Sequence, residues 1–140
     1  MIDELIIARL LADVDVAALV GTRIRVDRLG QDTTFPAIRV TEITGDHPTN
    51  QAGASGLRDA LVQVDIYATT PDGRRDLYLH VRDSLRGLAA AYADHADLSI
   101  RSASITSDSK TYEKDSDGSD EGLFRQQTDW RIWHTEQAAP

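Results

Sequence analysis

The segment Leu57–Ala68 constrains the fold of this chain most, because apolar and polar residues alternate along it. Val62, Val64 and Ile66 all fall on its apolar side. Such alternation is typical of a β-strand that buries one face and turns the other towards solvent. The chain must therefore supply further strands beside this one and a layer of other elements that covers its apolar face.

Four other segments carry weaker strand patterns of the same kind. They are Thr22–Arg28, the stretch that Pro36 opens and that contains Ile38 and Val40, Leu98–Ile105, and Leu123–His134. A slip in the alternation within Leu98–Ile105 indicates a β-bulge. The third and fifth of the five predicted strands are longer than the average strand of about five to six residues.

Two segments have the 3.6-residue apolar spacing of amphipathic helices. The first is Ile2–Val20, within which Asp13 or Asp15 is a candidate N-cap for a second short helix. The second begins at Pro71 with Thr70 as N-cap, and its apolar stripe contains Leu77, Tyr78, Val81, Leu85 and Leu88. The sequence thus predicts an α+β two-layer sandwich, a mainly antiparallel sheet of four to five strands with two helices on one face.

At 140 residues, the chain has the usual length of a single domain, so residues 1–140 are predicted to form one unit. The stretches 45–56 and 107–122 are polar and glycine-containing, and we predict that both are flexible loops. The tail 135–140 is predicted to be frayed.

Composition excludes several classes of function. A net charge of -8 opposes a primary role in nucleic-acid binding, which needs a basic patch. No apolar run is long enough to span a membrane, and the acidic start is not a secretory signal, so we expect a soluble product without membrane contact. The absence of cysteine excludes disulfides and thiolate metal sites.

The search for reactive groups yields no candidate catalytic residue, cofactor site or metal site. No two of the four histidines have the helical spacing of a metal pair; they are His47, His80, His95 and His134. The run from Asp115 resembles a calcium loop, but an EF-hand needs glycine at its sixth position and glutamate at its twelfth. Asp120 and Gln126 stand there instead, which favours a solvated acidic loop. We therefore expect a protein that is not an enzyme.

Several stretches resemble the tail-completion, or tail-terminator, proteins of long-tailed phages. The resemblance rests on Leu10-Leu11-Ala12-Asp13, Ala17–Gly21, Phe35–Val40 with its Pro-x-hydrophobic strand start, Leu61–Ala68 and the helix Leu77–Leu88. It covers roughly residues 5 to 134 and extends to lambda-like tail terminators and to related subunits of prophages and gene transfer agents.

This resemblance implies a structural virion protein of the tail or neck, assembled in the host cytoplasm. Such proteins form a ring, usually a hexamer, that caps the tail tube and joins it to the head. The implied partners are further copies of the chain, the tail tube protein and a head-completion or connector protein, while DNA only passes through the lumen. The alternatives are a head-closure or tube subunit and, further away, a small enzyme of unknown chemistry.

For a ring subunit we predict contacts through the two long loops, an arginine cluster and an outward-facing tryptophan. Trp133 differs in phase from Trp130, so it should face away from the core, beside Arg131. The alternative for Trp133 is packing beneath a helix end or the chain terminus. The predicted interface residues are Trp133, Arg131, Arg23, Arg25, His47, Asn50, Tyr112, Glu113, Asp115 and Asp117.

Overall fold

The structure, a computed structural model, describes residues 2–30, 34–46, 57–93, 98–114 and 122–136. Within these ranges, four helical segments and five strands follow one another. They are α1 (Ile2–Ala12), α2 (Val14–Val20), β1 (Ile24–Val26), β2 (Ala37–Asp46), β3 (Leu57–Ala68), α3 (Pro71–Arg86), α4 (Leu88–Ala91), β4 (Leu98–Lys114) and β5 (Gly122–Glu136).

The strands form one sheet in the order β1-β2-β3-β5-β4. β1 is parallel to β2, and the other three pairings are antiparallel. The helices pack on one side of this sheet, which we call the covered face; the opposite side is the open face. The predicted α+β two-layer sandwich with a mainly antiparallel sheet is confirmed.

The core lies between the helices and the covered face, and alternate residues of each inner strand point into it. Trp130 is its largest side chain, and its indole Nε1 donates to Thr128 Oγ1 over 3.1 Å. Around it are Ile6, Leu10, Val20, Ile38, Val62, Val64, Ile66, Leu77, Val81, Leu85, Leu88 and Ile132. The apolar side predicted for Leu57–Ala68 and the stripe of the second predicted helix are therefore confirmed as core, with Tyr78 only partly buried. In the first predicted helix Ile6 and Leu10 are buried, but Leu11 and Val14, which share the predicted apolar face, are exposed.

Helix caps explain where the helical segments begin. Asp13 interrupts the first predicted helix, because its Oδ1 accepts from the backbone N–H groups of Asp15 and Val16 and so starts α2. Thr70 caps α3 as predicted, with Gly73 N–H donating to Thr70 Oγ1 over 3.0 Å. The two predicted helices thus become four segments, since α3 ends at Arg86 and α4 follows after Gly87.

Replacing Thr70 with alanine should lower the free energy of unfolding by about 1 kcal/mol, because a donor of the first α3 turn loses its side-chain acceptor. Urea denaturation of the purified variant measures this change. The adjacent Thr69→Ala serves as the control, since Thr69 is exposed but is not the cap. Equal losses in the two variants would contradict the assigned cap.

Strand boundaries differ from the predictions at several places. Thr22–Arg28 contributes only the three residues of β1, because Asp27 adopts a left-handed φ of 64° that ends the extended run. The Phe35–Pro36 peptide bond just before β2 is cis. The bulge predicted near Leu98–Ile105 is confirmed, with register shifts between Ile100 and Ser102 and between Ile105 and Ser107.

The predicted loops and tail are shorter than expected. β2 continues through residues 45–46, β4 through residues 107–114, and β5 spans Gly122 to Glu136, so the loop and frayed-tail predictions are wrong there. Pairing with β3 and β5 supplies backbone hydrogen bonds that outweigh the polar composition. Residues 47–56, 115–121 and 137–140 lie outside the described part of the chain.

Candidate assembly surfaces

The open face carries a buried ionic cluster although no helix covers it. Asp65 on β3 has no exposed surface. Its Oδ2 accepts from Arg39 Nε (3.1 Å) and Nη2 (2.7 Å) and from Gln63 Nε2 (2.8 Å). Its Oδ1 accepts from Arg125 Nε (3.2 Å) and Nη2 (2.9 Å). With Tyr67, these residues form what we call the Asp65 cluster.

The strand register brings the members of the Asp65 cluster together. Arg39 on β2 lies directly opposite Asp65, and Arg125 on β5 lies directly opposite Tyr67. The two guanidinium carbons stand 5.8 and 5.7 Å from the centre of the Tyr67 ring, within the range of cation–π attraction. Phe35 extends the aromatic contact, with its ring centre 6.1 Å from that of Tyr67.

These contacts give the open face a rigid, water-excluding and locally basic centre. The Arg39 and Arg125 side chains are 26% and 20% exposed, and they cover the Asp65 carboxylate. Two guanidinium groups outnumber one carboxylate, which leaves one formal positive charge at the surface of a chain of net charge -8. Hydrogen bonds to a charged group are shorter and stronger than neutral ones, so the cluster holds three strands in register.

A second surface is the outer edge of β4, which is the last strand of the sheet. Every residue from Thr106 to Tyr112 is exposed, on both faces of the strand. Near the start of this edge, Ile100 N–H donates to the carbonyl of Tyr92 over 3.0 Å. Within the described residues we find no other backbone hydrogen bond on this edge. Unpaired strand edges are ready templates for another strand.

Within the described ranges, no three histidine, aspartate or glutamate side chains come together in a way that could hold a metal ion. Among the helices described, none has the length and apolar character needed to cross a membrane.

Comparison with known proteins was made with the sequence and with the fold. The family model of tail completion protein gp17 matches residues 4–135. The chain belongs to this family. No curated protein matches the sequence.

The fold of this tail completion family member is also found in a solved structure. A chain in the virion of a native gene transfer agent particle superposes with a TM-score of 0.62 and 15% sequence identity. The match covers 93% of this chain and 91% of that chain. The family resemblance inferred from the sequence is thereby confirmed, and the solved structure shows that the fold is shared.

In this tail completion family member, Trp133 and Arg131 lie on the open face, as the alternation of residues along β5 predicts. Trp133 is half-buried there, whereas Trp130 is in the core. Arg131 is exposed, and its Nε lies 3.5 Å from Asp59 Oδ1. The pair is therefore available at the surface, with the arginine partly held by its neighbour.

Arg23 and Arg25 flank the start of β1 and make mostly local contacts. Arg23 is half-buried and donates from Nε to the Pro36 carbonyl over 3.0 Å and from Nη2 to the Leu19 carbonyl over 3.3 Å. Arg25 is exposed and donates from Nη1 to the Thr22 carbonyl over 2.9 Å. Arg23 thus ties the end of α2 to the start of β2, while Arg25 lies on the open face beside Arg39 in the strand register.

Two further predicted interface residues, Tyr112 and Glu113, lie on β4. Tyr112 is 50% exposed, and its ring centre is 4.8 Å from that of Phe124. Glu113 lies in β4, opposite Leu123 in register. The remaining four predicted residues lie outside the described part of the chain; they are His47, Asn50, Asp115 and Asp117.

Sequence reasoning missed the Asp65 cluster. The alternation of Leu57–Ala68 puts Asp65 and Tyr67 on the polar side of that strand, which is correct, but such a placement predicts exposure to solvent. Both are buried, because Arg39 and Arg125 fold over them from strands 26 and 60 residues away along the chain. The signal in the sequence is an aspartate and an aromatic residue two positions apart on one face of a strand. Whether they are buried depends on which residues of the neighbouring strands lie opposite them.

Proposed function

We propose that this chain is a tail terminator: a structural subunit that closes into a ring, caps the end of the tail tube and presents the surface to which the head is joined. The observation that carries this proposal is the family match over residues 4–135, nearly the whole chain. In this proposal the ring is a hexamer, assembles in the host cytoplasm and ends up in the tail or neck of the virion.

The two surfaces described above support a ring. A closed ring requires a heterologous contact, in which one patch of a subunit meets a different patch of the next. In this proposal the open face is a surface for the tube or the head-completion protein, and the outer edge of β4 is one of the two patches for a neighbouring copy. Among the residues predicted for the interface, Trp133, Arg131 and Arg25 belong to the first and Tyr112 to the second.

The charge of the chain fits a ring around DNA that must not bind it tightly. At a net charge of -8, the subunit repels a polyanion passing through the lumen. The proposed partners are protein surfaces: the last ring of tube subunits on one side and a head-completion or connector protein on the other.

Electron microscopy of negatively stained samples tests the proposal. The purified chain is mixed with tail tubes assembled without it, and tubes alone are the control. We expect one extra ring at one end of each tube and an end to elongation when further tube protein is added. Filaments of the chain by itself would identify a tube subunit instead, and attachment to heads but never to tube ends would identify a head-closure protein.

A further inference from the structure

The direction of the backbone groups along β4 follows from one hydrogen bond. The N–H of Ile100 points away from β5, since it donates to Tyr92. In an antiparallel ladder, successive residues direct their N–H and C=O groups alternately to the two sides. Two register shifts, between Ile100 and Ser102 and between Ile105 and Ser107, each invert this alternation. The outward groups in the second half of the strand therefore belong to Asp108, Lys110 and Tyr112.

At the opposite edge of the sheet, β1 pairs with only the first part of β2. Ile24 N–H donates to the Thr22 carbonyl and Arg28 N–H to the Val26 carbonyl, so these two outward groups of β1 are bonded within the segment itself. β1 pairs only with residues 38–40 of β2, although β2 continues to Asp46. The second half of β2 therefore has an outer edge without a strand among the described residues.

We propose that the outer edge of β4 binds a second copy of this chain by adding the uncovered edge of that copy's β2 as an antiparallel strand. This proposal rests on the tail-terminator function and names its subunit contact. The contact is heterologous, because the edge of β4 and the edge of β2 are different surfaces at opposite ends of one sheet.

The symmetry of a ring agrees with the direction of the strands. Rotation about the ring axis leaves the direction of each strand along that axis unchanged. Three successive antiparallel pairings separate β2 from β4, so the two strands run in opposite directions in every copy. When the edge of one copy's β4 meets the edge of the next copy's β2, the pair is antiparallel, the more stable arrangement.

Exposed apolar side chains mark both edges. Ile43, at the β2 bulge, is 47% exposed, and Tyr112 on β4 is 50% exposed. Large exposed apolar side chains at unpaired strand edges favour association rather than solubility. Strand addition would cover them together with the free backbone groups.

A proline in β4 can remove a backbone donor from the outer edge of the strand without affecting the inner edge, which pairs with β5. Lys110→Pro removes an outward N–H and leaves the β4–β5 ladder complete, a position at which an edge strand tolerates proline. We expect at least tenfold fewer rings by electron microscopy and sedimentation, with an unchanged melting temperature of the subunit. Lys110→Ala controls for the lost charge and should form rings normally. Rings of Lys110→Pro at the wild-type level would overturn the proposal.

Engineered cysteines test the same contact without disturbing the backbone, and the chain has none of its own. Thr41 pairs with Gln63 and directs its backbone groups towards β3, so at the outer edge it occupies a non-hydrogen-bonded position, where facing side chains are closest. Thr41→Cys is combined in turn with a cysteine at Ser104, Ser107, Ser109 or Thr111, which lie at equivalent positions on β4. Asp76→Cys, on the exposed face of α3, replaces the β4 cysteine in the control.

Oxidation is carried out on the concentrated purified chain and on tubes carrying it. A ladder of covalent multimers from one double variant, absent from each single variant and from the control, supports the proposal and gives the register. Absence of such ladders from both samples overturns it, as does dimerisation of a β4 single variant, which would show two β4 edges pairing. Capped tubes without these cross-links would refute the edge contact while leaving the terminator function intact.

Discussion

Replacing Asp65 with alanine is expected to lower the free energy of unfolding by about 3 kcal/mol and the melting temperature by roughly 10 °C. Asp65 has no exposed surface and accepts five hydrogen bonds from three side chains. Without it, two arginines on the strands that flank β3 face each other with no negative charge between them. Because both arginines are partly exposed and regain water, the loss lies at the lower end of the range for breaking a buried ion pair.

Chemical denaturation of the purified Asp65→Ala variant measures this loss, and Asp129→Ala is the matched control. Asp129 is also an aspartate of the open face, but it is only partly buried and its carboxylate accepts from Ser107 Oγ. Its removal should cost less than about 1 kcal/mol. Similar losses in the two variants would show that the Asp65 cluster contributes no more than an ordinary surface hydrogen bond.

Truncation of Trp130 to alanine should cost about 4 kcal/mol, the largest effect of any single substitution considered for this chain. Trp130 is 1% exposed and lies on the covered face of β5. Its removal leaves a cavity between the sheet and the helices and deprives Thr128 Oγ1 of a donor. Thermal and urea unfolding measure the loss.

Trp133→Ala is the natural comparison, because Trp133 lies three residues further along the same strand on the open face. It is half-buried, so its truncation removes less buried apolar surface, and we expect a loss of about 1 to 2 kcal/mol in the isolated subunit. If Trp133 anchors a subunit contact, the same variant should reduce ring formation more than it reduces stability. A larger loss of stability for Trp133→Ala than for Trp130→Ala would contradict the assigned faces of β5.

The connection between the Asp65 cluster and assembly is mechanical. Arg39, Asp65 and Arg125 link β2, β3 and β5 across the open face, so the strands between the two sheet edges stay in one register. A ring closes only if the two contact edges of each subunit keep a constant position relative to one another. The cluster therefore serves the proposed ring by keeping the two contact edges at a constant separation.

The sequence by itself determined the elements that depend on short-range spacing. The alternation of Leu57–Ala68 and the cap at Thr70 were visible because each involves residues within a few positions of one another. The phase difference between Trp130 and Trp133 is of the same kind. The family resemblance was accessible for the same reason, since it rests on short patterns along the chain.

Only the tertiary structure decided how these elements meet. The order β1-β2-β3-β5-β4, the parallel direction of β1 and the extension of β4 through the polar residues 107–114 depend on pairing between distant segments. The Asp65 cluster depends on it most, because Arg39 and Arg125 are separated from Asp65 by 26 and 60 residues and reach it only in one register. Local periodicity determines which face each side chain occupies, but registers that differ by two residues keep the same faces. Side-chain packing across the finished sheet selects among them.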